Sequence, residues 1–544
     1  MQAFATLLER LAFTPGRDAR IALLGRYFAT VPDPDRGFGL AALAGGLRLP
    51  AVGASLIRTL IAARTDPVLF ALSYDYVGDL AETAALLWPA RPGGAAPPAL
   101  SEVVGALAAT PRSGLPDLLA GWLDAAEAPV RYALLKLVTG GLRAGISGRL
   151  ARRAVAAWGG LDPAAVEEVW HGLEPPYGAL FAWAEGRAPR PDPAGAPLFR
   201  PPMLAHPITA AEVAALDPDA YRAEWKWDGI RVQLVATPAG RRLFSRGADD
   251  ISAAFPEILA AMTFHAVLDG ELLALAAPPD ASGSGARDAG LGAVAPFSAL
   301  QRRLNRLSPG AALRRSHPVG VRLYDLLFDG AEDLRALPFD ARRARLEAWF
   351  ARAAPAAMDL SPLLAFADPA GLARLRAEGV AAGSEGLMLK RRDSAYFAGR
   401  PRGLWWKWKH EPRRIDAVLM YAQRGHGKRG GSYSDYTFGV WDGAALVPVG
   451  KAYFGFTDNE LRWLDQWIRA HTIGRFGPVR EVEKALVLEV AFDSAQASAR
   501  HKSGVALRFP RISRLRRDKP AAEADRLETV LALTGGKGQA GAGG

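Results

Sequence analysis

The spacing of apolar residues changes along this chain of 544 residues, and that change limits the folds available to it. Up to about residue 190 apolar side chains recur at helical spacing, as in 4–11, 130–138 and 148–158. The proline-rich stretch 187–202 has little periodicity and predicts a linker. Beyond it, short alternating runs typical of strands are mixed with helical ones. Because the chain is too long for a single core, the pattern predicts about three domains.

We therefore expect a multidomain α+β protein. Its predicted segments are an all-α domain over 1–190, a linker over 191–198, an α+β domain over 199–410, a barrel over 411–534 and a disordered Gly-rich tail over 535–544.

The barrel is predicted from strands over 415–423, 436–441, 445–449 and 485–492, which a helix over 458–470 interrupts. Short strands in this arrangement favour a β-barrel of the OB type, a fold that often binds nucleic acid.

Charge and composition narrow the class of partner. The formal net charge of +11 and the pI of about 9.9 favour a polyanionic partner, although a generally Arg-rich composition would give the same balance. The chain has no Cys, which excludes disulfides, zinc-thiolate sites and thiol nucleophiles and fits a cytosolic protein. Charges at Glu9 and Arg10 argue against a signal peptide, and the apolar region 38–63 is too interrupted to span a membrane.

The stretch 224–231 reads Glu-Trp-Lys-Trp-Asp-Gly-Ile-Arg and joins two alternating segments, 221–225 and 231–235. This pattern predicts two strands connected by a glycine-containing turn. Lys226 lies between two tryptophans, and desolvation against aromatic surface lowers the pKa of a lysine. Only the neutral amine is a nucleophile. The alternative is a strand-end lysine whose stem covers core aromatics.

Three further segments carry residues suited to nucleotide chemistry. Glu271 follows an Asp-Gly pair at a strand end and can meet a ribose or a hydrated Mg²⁺, although Asp-Gly is also a common turn. Tyr324 can stack on a base or belong to the core. Glu385 begins a strand and is a reasonable Mg²⁺ ligand.

The run Trp-Trp-Lys-Trp-Lys-His over 405–410 predicts a strand with Lys407 and Lys409 on one face. Backed by tryptophans, the two lysines would form a cationic floor for phosphates and lower the pKa of Lys226 nearby. A solvated strand face is the alternative. Glu224 projects to the same side as Lys226 and can accept a hydrogen bond from an adenine amino group.

Residues 226–231 fit Lys-x-Asp-Gly-x-Arg, which resembles the nucleotidyl-acceptor motif of covalent nucleotidyltransferases: ATP-dependent DNA ligases, RNA ligases and capping enzymes. The order of the following segments resembles the motif series of bacterial multidomain ATP-dependent DNA ligases. Those segments are 245–249, 269–271, the one around Tyr324, 385–390, 405–409 and 507–519.

The resemblance implies that Lys226 attacks the α-phosphate of ATP and carries the AMP as a phosphoramidate. It implies that Mg²⁺ or Mn²⁺ binds near Glu271 and Glu385, and that basic residues of the last motif, Arg516 among them, orient the pyrophosphate. Arg517 stands where many relatives carry an acidic residue. The residues implied in nucleotide binding are Glu224, Arg231, Arg246, Glu271, Tyr324, Lys407, Lys409, Arg514 and Lys519.

Two basic segments are candidates for contact with DNA. In 136–145 a helix ends in glycines and another opens around Ile146, so that backbone amides beside Arg143 and Arg149 can hold a phosphate. The alternative is a tight turn between helices, but this segment and 76–82 resemble parts of the DNA-binding domain of ligases. Within the predicted barrel, 425–430 fits G-x-G-x-x-G, yet a strand follows it, which favours a basic hairpin. Its Lys428 and Arg429 would contact the DNA backbone.

The resemblance implies a cytoplasmic, monomeric ATP-dependent DNA ligase that seals nicks in duplex DNA in repair, with protein partners left open. An RNA ligase or a capping-type enzyme is the nearest alternative, and the long helical region argues against it. A catalytically inactive DNA-binding scaffold is the alternative from another class. NAD⁺ use is disfavoured because the additional module and zinc cysteines of NAD⁺-dependent relatives are not found.

Overall fold

The computed structural model describes residues 1–534 except 15, 48, 50–51, 90–97, 141, 143–144, 194, 277–290, 305, 307, 425–432, 454, 478 and 499–500. The predicted tail over 535–544 lies outside the described residues. The chain divides into two compact units, one comprising 1–20, 48–145 and the described part of 411–544, and the other comprising 21–47 and 146–410. Within the described residues no helix is both long and apolar enough to cross a membrane.

The N-terminal region is helical, as its apolar spacing predicts. The predicted segments 4–11, 130–138 and 148–158 all lie within helices. The helices are α1 (Gln2–Phe13), α2 (Arg17–Thr30), α3 (Asp35–Ala44), α4 (Ala54–Ala62), α5 (Pro67–Val77), α6 (Leu80–Leu87), α7 (Leu100–Ala109), α8 (Leu115–Ala125), α9 (Ala128–Val138), α10 (Gly148–Gly159), α11 (Pro163–Trp170) and α12 (Gly178–Ala184).

Local capping explains where two of these helices begin. Asp79 precedes α6 and accepts the backbone N–H of Glu82, while its other oxygen lies 2.5 Å from the Lys136 ammonium on α9. Asp79 and Lys136 belong to the segments 76–82 and 136–145, so this ion pair joins the two. Ser147 caps α10, which therefore begins two residues after the predicted Ile146.

The middle region mixes strands and helices, as predicted. Its elements are β1 (His206–Pro207), α13 (Ala210–Ala214), β2 (Tyr221–Trp227), β3 (Ile230–Thr237), β4 (Gly240–Ser245), α14 (Pro256–Ala261), β5 (Ala266–Ala274), α15 (Phe297–Gln301), α16 (Ala311–Ser316), β6 (Val319–Asp329), β7 (Glu332–Asp333), α17 (Phe339–Ala353), β8 (Met358–Leu360), β9 (Leu363–Leu364), α18 (Pro369–Glu378), β10 (Ser384–Arg391) and β11 (Trp405–Lys409).

These strands form two sheets. Sheet I has the order β1-β11-β10-β2-β9, and sheet II has the order β4-β3-β5-β6-β7 with β8 beside β6. The two strands predicted around Lys226 are present, but β2 belongs to sheet I and β3 to sheet II. The turn between them is therefore a crossing from one sheet to the other and not the end of a hairpin.

Gly229 allows this crossing. A Cβ at this position would lie 2.4 Å from the carbonyl oxygen of Leu272 and 2.8 Å from Cγ of Glu271, both on β5. Any larger residue would push the backbone of the turn away from sheet II. Glycine therefore holds the end of β2, which carries Lys226, close to Glu271.

The C-terminal region is rich in antiparallel strands, ordered β14-β13-β12-β16-β15 with β17 between β12 and β20. The strands predicted over 415–423, 436–441 and 445–449 and the helix over 458–470 are confirmed. The last predicted strand begins at 487 and not at 485, because Ala485 donates its N–H to Glu483 in a turn. The elements are β12 (Arg413–Arg424), β13 (Tyr433–Asp442), β14 (Ala445–Ala452), α19 (Asp458–Ala470), β15 (Thr472–Phe476), β16 (Val479–Val482), β17 (Val487–Phe492), β18 (Ser494–Ala497), β19 (Val505–Arg508), β20 (Arg511–Arg516) and α20 (Leu527–Ala532).

Candidate active site

Three adjacent strands of sheet I form one side of the site. β10 pairs antiparallel with β2 and with β11, so that Met388 stands opposite Glu224 on one side and opposite Lys407 on the other. This register brings together predicted residues that are far apart in the sequence.

The ladder between β2 and β10 is irregular where Glu385 stands. Its register shifts between Ser384 and Leu387. Gly386, which follows Glu385, has a φ of 136°, and a Cβ there would lie 2.2 Å from the carbonyl oxygen of Trp408. Only glycine fits this conformation and this close approach. The irregularity aims the Glu385 side chain at β2 and not along the ladder.

Lys226 and Glu385 are in direct contact. The Lys226 Nζ donates a hydrogen bond of 2.6 Å to Oε2 of Glu385, and the Lys409 Nζ lies 3.4 Å from the same oxygen. The side chains of Lys226 and Glu385 are 24% and 19% exposed, so the amine does not project into bulk water. Burial raises the pKa of Glu385, but the charge and the hydrogen bond of Lys226, with the charge of Lys409, outweigh burial and lower this pKa to about 2. Glu385 is therefore a carboxylate at neutral pH.

Strand β11 has the predicted alternation. Trp405 and Trp408 are buried in different apolar clusters, one around Tyr396 and the other around Leu387. The lysine between them, Lys407, is half-buried.

The pKa of Lys407 reports a concentration of positive charge. Burial lowers this pKa most, and the charges of Arg400, Lys226, Lys409 and Arg246 lower it further. Lys407 therefore lies within electrostatic reach of three other predicted cations, Lys226, Lys409 and Arg246, and of Arg400, which was not predicted. Such a group of fixed cations suits a polyphosphate, whose charge they can neutralise without rearrangement.

Sheet II supplies the other side of the site. Arg231 on β3 stands opposite Glu271 on β5. One nitrogen of the Arg231 guanidinium donates a 2.6 Å hydrogen bond to Asp269, and the guanidinium lies 5.9 Å from the ring of Tyr324. A buried hydroxyl, that of Tyr396, donates to the same Asp269 carboxylate at 2.5 Å. Arg231 is thus held in a fixed position beside Tyr324.

Glu271 connects the two sheets electrostatically. The pKa of Glu271 is raised to about 7: burial raises it most, the charges of Lys226 and Arg231 lower it, and those of Glu385 and Asp228 raise it. Glu271 and Glu385 therefore feel each other's charge. The described residues contain no cluster of three or more His, Cys, Asp or Glu side chains that would hold a metal. Two carboxylates still suit Mg²⁺, which keeps several waters and phosphate oxygens as ligands.

The carboxylate of Glu224 is buried and already paired. Its Oε2 lies 2.5 Å from the Lys390 Nζ, and its Oε1 lies 3.5 Å from the Arg343 guanidinium. The Lys390 ammonium also faces the rings of Tyr324 and Trp405 at 4.5 and 4.8 Å. Glu224 and Lys390 are 3% and 2% exposed as side chains. Two cations thus fix the predicted adenine acceptor in place.

Comparison with known proteins agrees with this geometry. Two family models match the chain: "ATP dependent DNA ligase domain" over 202–409 and "ATP dependent DNA ligase C terminal region" over 429–519. A "Probable DNA ligase" of Anaeromyxobacter dehalogenans strain 2CP-1 is 32% identical over 98% of this chain and 99% of its own length. This chain belongs to the ATP-dependent DNA ligase family.

Two other similarities extend the match. A "Probable DNA ligase" of Koribacter versatilis is 37% identical over 76% of this chain and 73% of its own length. The solved structure named Pmar-Lig_Pre covers 94% of this chain and 99% of that chain with a TM-score of 0.58 and 15% identity, which shows a shared fold. The ligase domain match over 202–409 contains every residue that sheets I and II bring to the site.

The ligase C-terminal match contains the predicted basic motif. Lys519 is half-buried, and its Nζ lies 2.8 Å from Oδ2 of Asp416. Arg514 is 63% exposed and lies 3.9 Å from the Asp518 carboxylate. Arg517 lies over the ring of Trp463 on α19, with 3.6 Å between the guanidinium carbon and the ring centroid.

The residues predicted to contact DNA are described only in part. Arg149 is exposed in the first turn of α10, and Arg246 is exposed just after β4. Arg143, Lys428 and Arg429 lie outside the described residues, so their role stays a prediction.

Lys390, Arg343, Asp269 and Tyr396 were not predicted as site residues. For Lys390 the sequence carried a signal, since the lysine ends the same short strand that Glu385 begins. Asp269 lies in the motif segment 269–271, which is a signal of the same kind. Arg343 and Tyr396 contact the site from a helix and from a loop, and their local sequence gives no sign of it.

Proposed function

We propose that this member of the DNA ligase family joins nicks in duplex DNA through an adenylate carried on Lys226, with ATP as its source. The contact of 2.6 Å between the Lys226 Nζ and Glu385 carries the proposal, because it lies beside the cationic floor of Lys407 and Lys409. The carboxylate holds the Lys226 nitrogen in one position, and the fixed cations neutralise the charge of the phosphate that the deprotonated amine attacks.

In the first step the Lys226 ammonium gives a proton to water, and the neutral amine attacks the α-phosphorus of ATP. The nitrogen releases a second proton to water as the phosphoramidate forms. A nitrogen–phosphorus bond forms, and the bond between the α-phosphorus and the bridging oxygen of pyrophosphate breaks. Transfer of this kind depends on in-line placement and on neutralised charge. Lys407 and Lys409 meet the phosphate oxygens, and Arg514 and Lys519 of the C-terminal region orient the leaving pyrophosphate.

The nucleotide is held from both sheets. Glu224 accepts from the adenine amino group, Tyr324 stacks on the base, and Arg231 and Arg246 bind the ribose and phosphate. Glu271 and Glu385 hold Mg²⁺ or Mn²⁺, which when bound supplies positive charge to the phosphates.

In the later steps AMP passes to the 5′-phosphate of the nick and the 3′-hydroxyl then displaces it. The helical region, through Arg143 and Arg149, and a C-terminal barrel of the OB type, through Lys428 and Arg429, bind the DNA backbone. We place the enzyme in the cytoplasm as a monomer acting in DNA repair, with Arg246 on the 5′-phosphate of the nick.

The test is incubation of the full chain with α-labelled ATP. Label should stay on the wild-type protein and on Lys451→Ala, a control at an exposed lysine of β14, and should be absent from Lys226→Ala. Label that persists on Lys226→Ala would refute the assignment. A second arm supplies nicked DNA or nicked RNA duplexes with ATP or NAD⁺. Sealing of nicked RNA alone would assign the chain to RNA joining, and binding without label would make it a scaffold.

A further inference from the structure

One carboxylate of the C-terminal region holds both Lys519, which is proposed to orient the pyrophosphate, and Arg516, for which the family resemblance implies the same role. Oδ2 of Asp416, on β12, accepts a hydrogen bond of 3.0 Å from Arg516 and one of 2.8 Å from Lys519. Arg516 ends β20 and Lys519 follows it in a turn. The side chains of all three are less than a quarter exposed, at 14%, 23% and 21%. An ion pair with this degree of burial is fixed in a way that an exposed pair is not.

The backbone of Asp416 is itself fixed. Its N–H donates a hydrogen bond of 2.8 Å to the carboxylate of Asp525, and its carbonyl oxygen accepts one of 2.8 Å from the Asp525 N–H. Asp416 also stands opposite Glu489 in the pairing of β12 with β17. The carboxylate is therefore a rigid point, and the two cations that bind to it are held at a set separation.

The neighbouring basic residues are held differently. Arg516 also pairs with Asp518 at 3.0 Å, so it keeps one partner if Asp416 is removed. Arg514 is 63% exposed. Loss of the Asp416 carboxylate would therefore affect the position of Lys519 most and that of Arg516 less.

We propose that Asp416 is a positioning residue for self-adenylation, which sets Arg516 and Lys519 as a pair to receive the leaving pyrophosphate. This inference rests on the proposed function. As the bond from Lys226 nitrogen to the α-phosphorus forms, the bond to pyrophosphate breaks and its charge passes to the leaving group. Preorganised cations stabilise that charge without a cost of rearrangement. Asp416 touches neither ATP nor the reacting atoms.

The experiment separates the first step from the last. Asp416→Ala and Asp416→Asn are each measured for the rate of label transfer from α-labelled ATP and for sealing of a pre-adenylated nick without ATP. Self-adenylation of Asp416→Ala should be slower by about 100-fold, as expected for catalytic groups displaced by about 1 Å. Sealing of the pre-adenylated nick should keep its rate. The control is Glu481→Ala, which removes the 3.8 Å pair with Lys484 outside the basic motif of the same region and should leave both steps unchanged.

Equal slowing of both steps, or an unchanged rate of self-adenylation, would overturn the proposal. A second comparison tests whether Asp416 acts through the two cations. In an Arg516→Ala, Lys519→Ala background, the further change Asp416→Ala should cost nothing more, and an additional loss would contradict the proposal. If Asp416→Ala does not fold, the nearly isosteric Asp416→Asn provides the test. Its self-adenylation should slow while its sealing of a pre-adenylated nick keeps its rate. A wild-type chain that takes up no label would refute the proposed function instead.

Discussion

Replacement of Lys390 by methionine removes a buried positive charge while it keeps an unbranched side chain that is only one atom shorter. Lys390 and its partner Glu224 are 2% and 3% exposed, so water cannot replace the lost ammonium. Removing one partner of a buried ion pair costs about 3–5 kcal/mol. Arg343 remains 3.5 Å from the other oxygen of Glu224 and compensates in part, which places the expected loss near the lower limit, about 3 kcal/mol.

This loss is measured best where the pair is located. Amide hydrogen exchange of β2 and β10 in the full chain reports the free energy of local opening. A loss of about 3 kcal/mol corresponds to exchange faster by about 150-fold. In the matched variant Glu224→Gln, Lys390→Met, Arg343 keeps its 2.6 Å pair with Glu347, so no buried charge loses its last partner and most of the protection should be recovered. A change below about 1 kcal/mol in Lys390→Met, or a double variant no better than the single one, would refute the reasoning.

Two other predictions concern the crossing between sheets and a buried histidine. Gly229→Ala would place a Cβ 2.4 Å from the Leu272 carbonyl oxygen, so label transfer from ATP should slow by about 10- to 100-fold, whereas Gly310→Ala, with nothing within 4 Å, should not. An unchanged rate in Gly229→Ala would contradict this. Burial and, to a smaller extent, the charges of Arg152 and Arg242 lower the pKa of His171 from 6.5 to about 3, while the charge of Asp250 acts in the opposite direction. The unfolded chain therefore binds the proton first, and stability is complete above pH 6.5 and falls as the pH drops towards 3, by about 2 kcal/mol at pH 5. Urea unfolding at pH 7 and pH 5 should show that His171→Leu removes this loss and that the exposed His501→Leu does not, and a loss that persists in His171→Leu would contradict the assignment.

The sequence was most informative where a pattern is local. The alternation of 415–423 and 436–441 predicted strands that lie inside β12 and β13, because side-chain period and turn residues are properties of neighbouring positions. The opposite faces of Trp405 and Trp408 were predicted for the same reason. The candidate site residues were predicted from the order of motif segments along the chain, and that order can be read without knowing any tertiary contact.

Contacts across the sheets were not predictable from the sequence. Period-two alternation indicates that 221–225 and 231–235 are strands, but it does not say which strands they pair with, so the crossing at Gly229 was missed. The pairing of Glu224 with Lys390 and of Asp416 with Lys519 depends on strand register. The register of a strand can be determined only when the strand that pairs with it is known.

Because the chain crosses between sheets at Asp228 and Gly229, the candidate site residues are distributed over two sheets. Lys226, Glu385 and Lys409 belong to one sheet, and Arg231, Glu271 and Tyr324 to the other. A small shear of one sheet past the other would leave the contact between Lys226 and Glu385 intact while it changes the distance from the amine to Glu271. Core residues that pack under either sheet can therefore change the distance between the Lys226 amine and Glu271. Directed evolution for faster self-adenylation should select substitutions at such residues, far from any nucleotide.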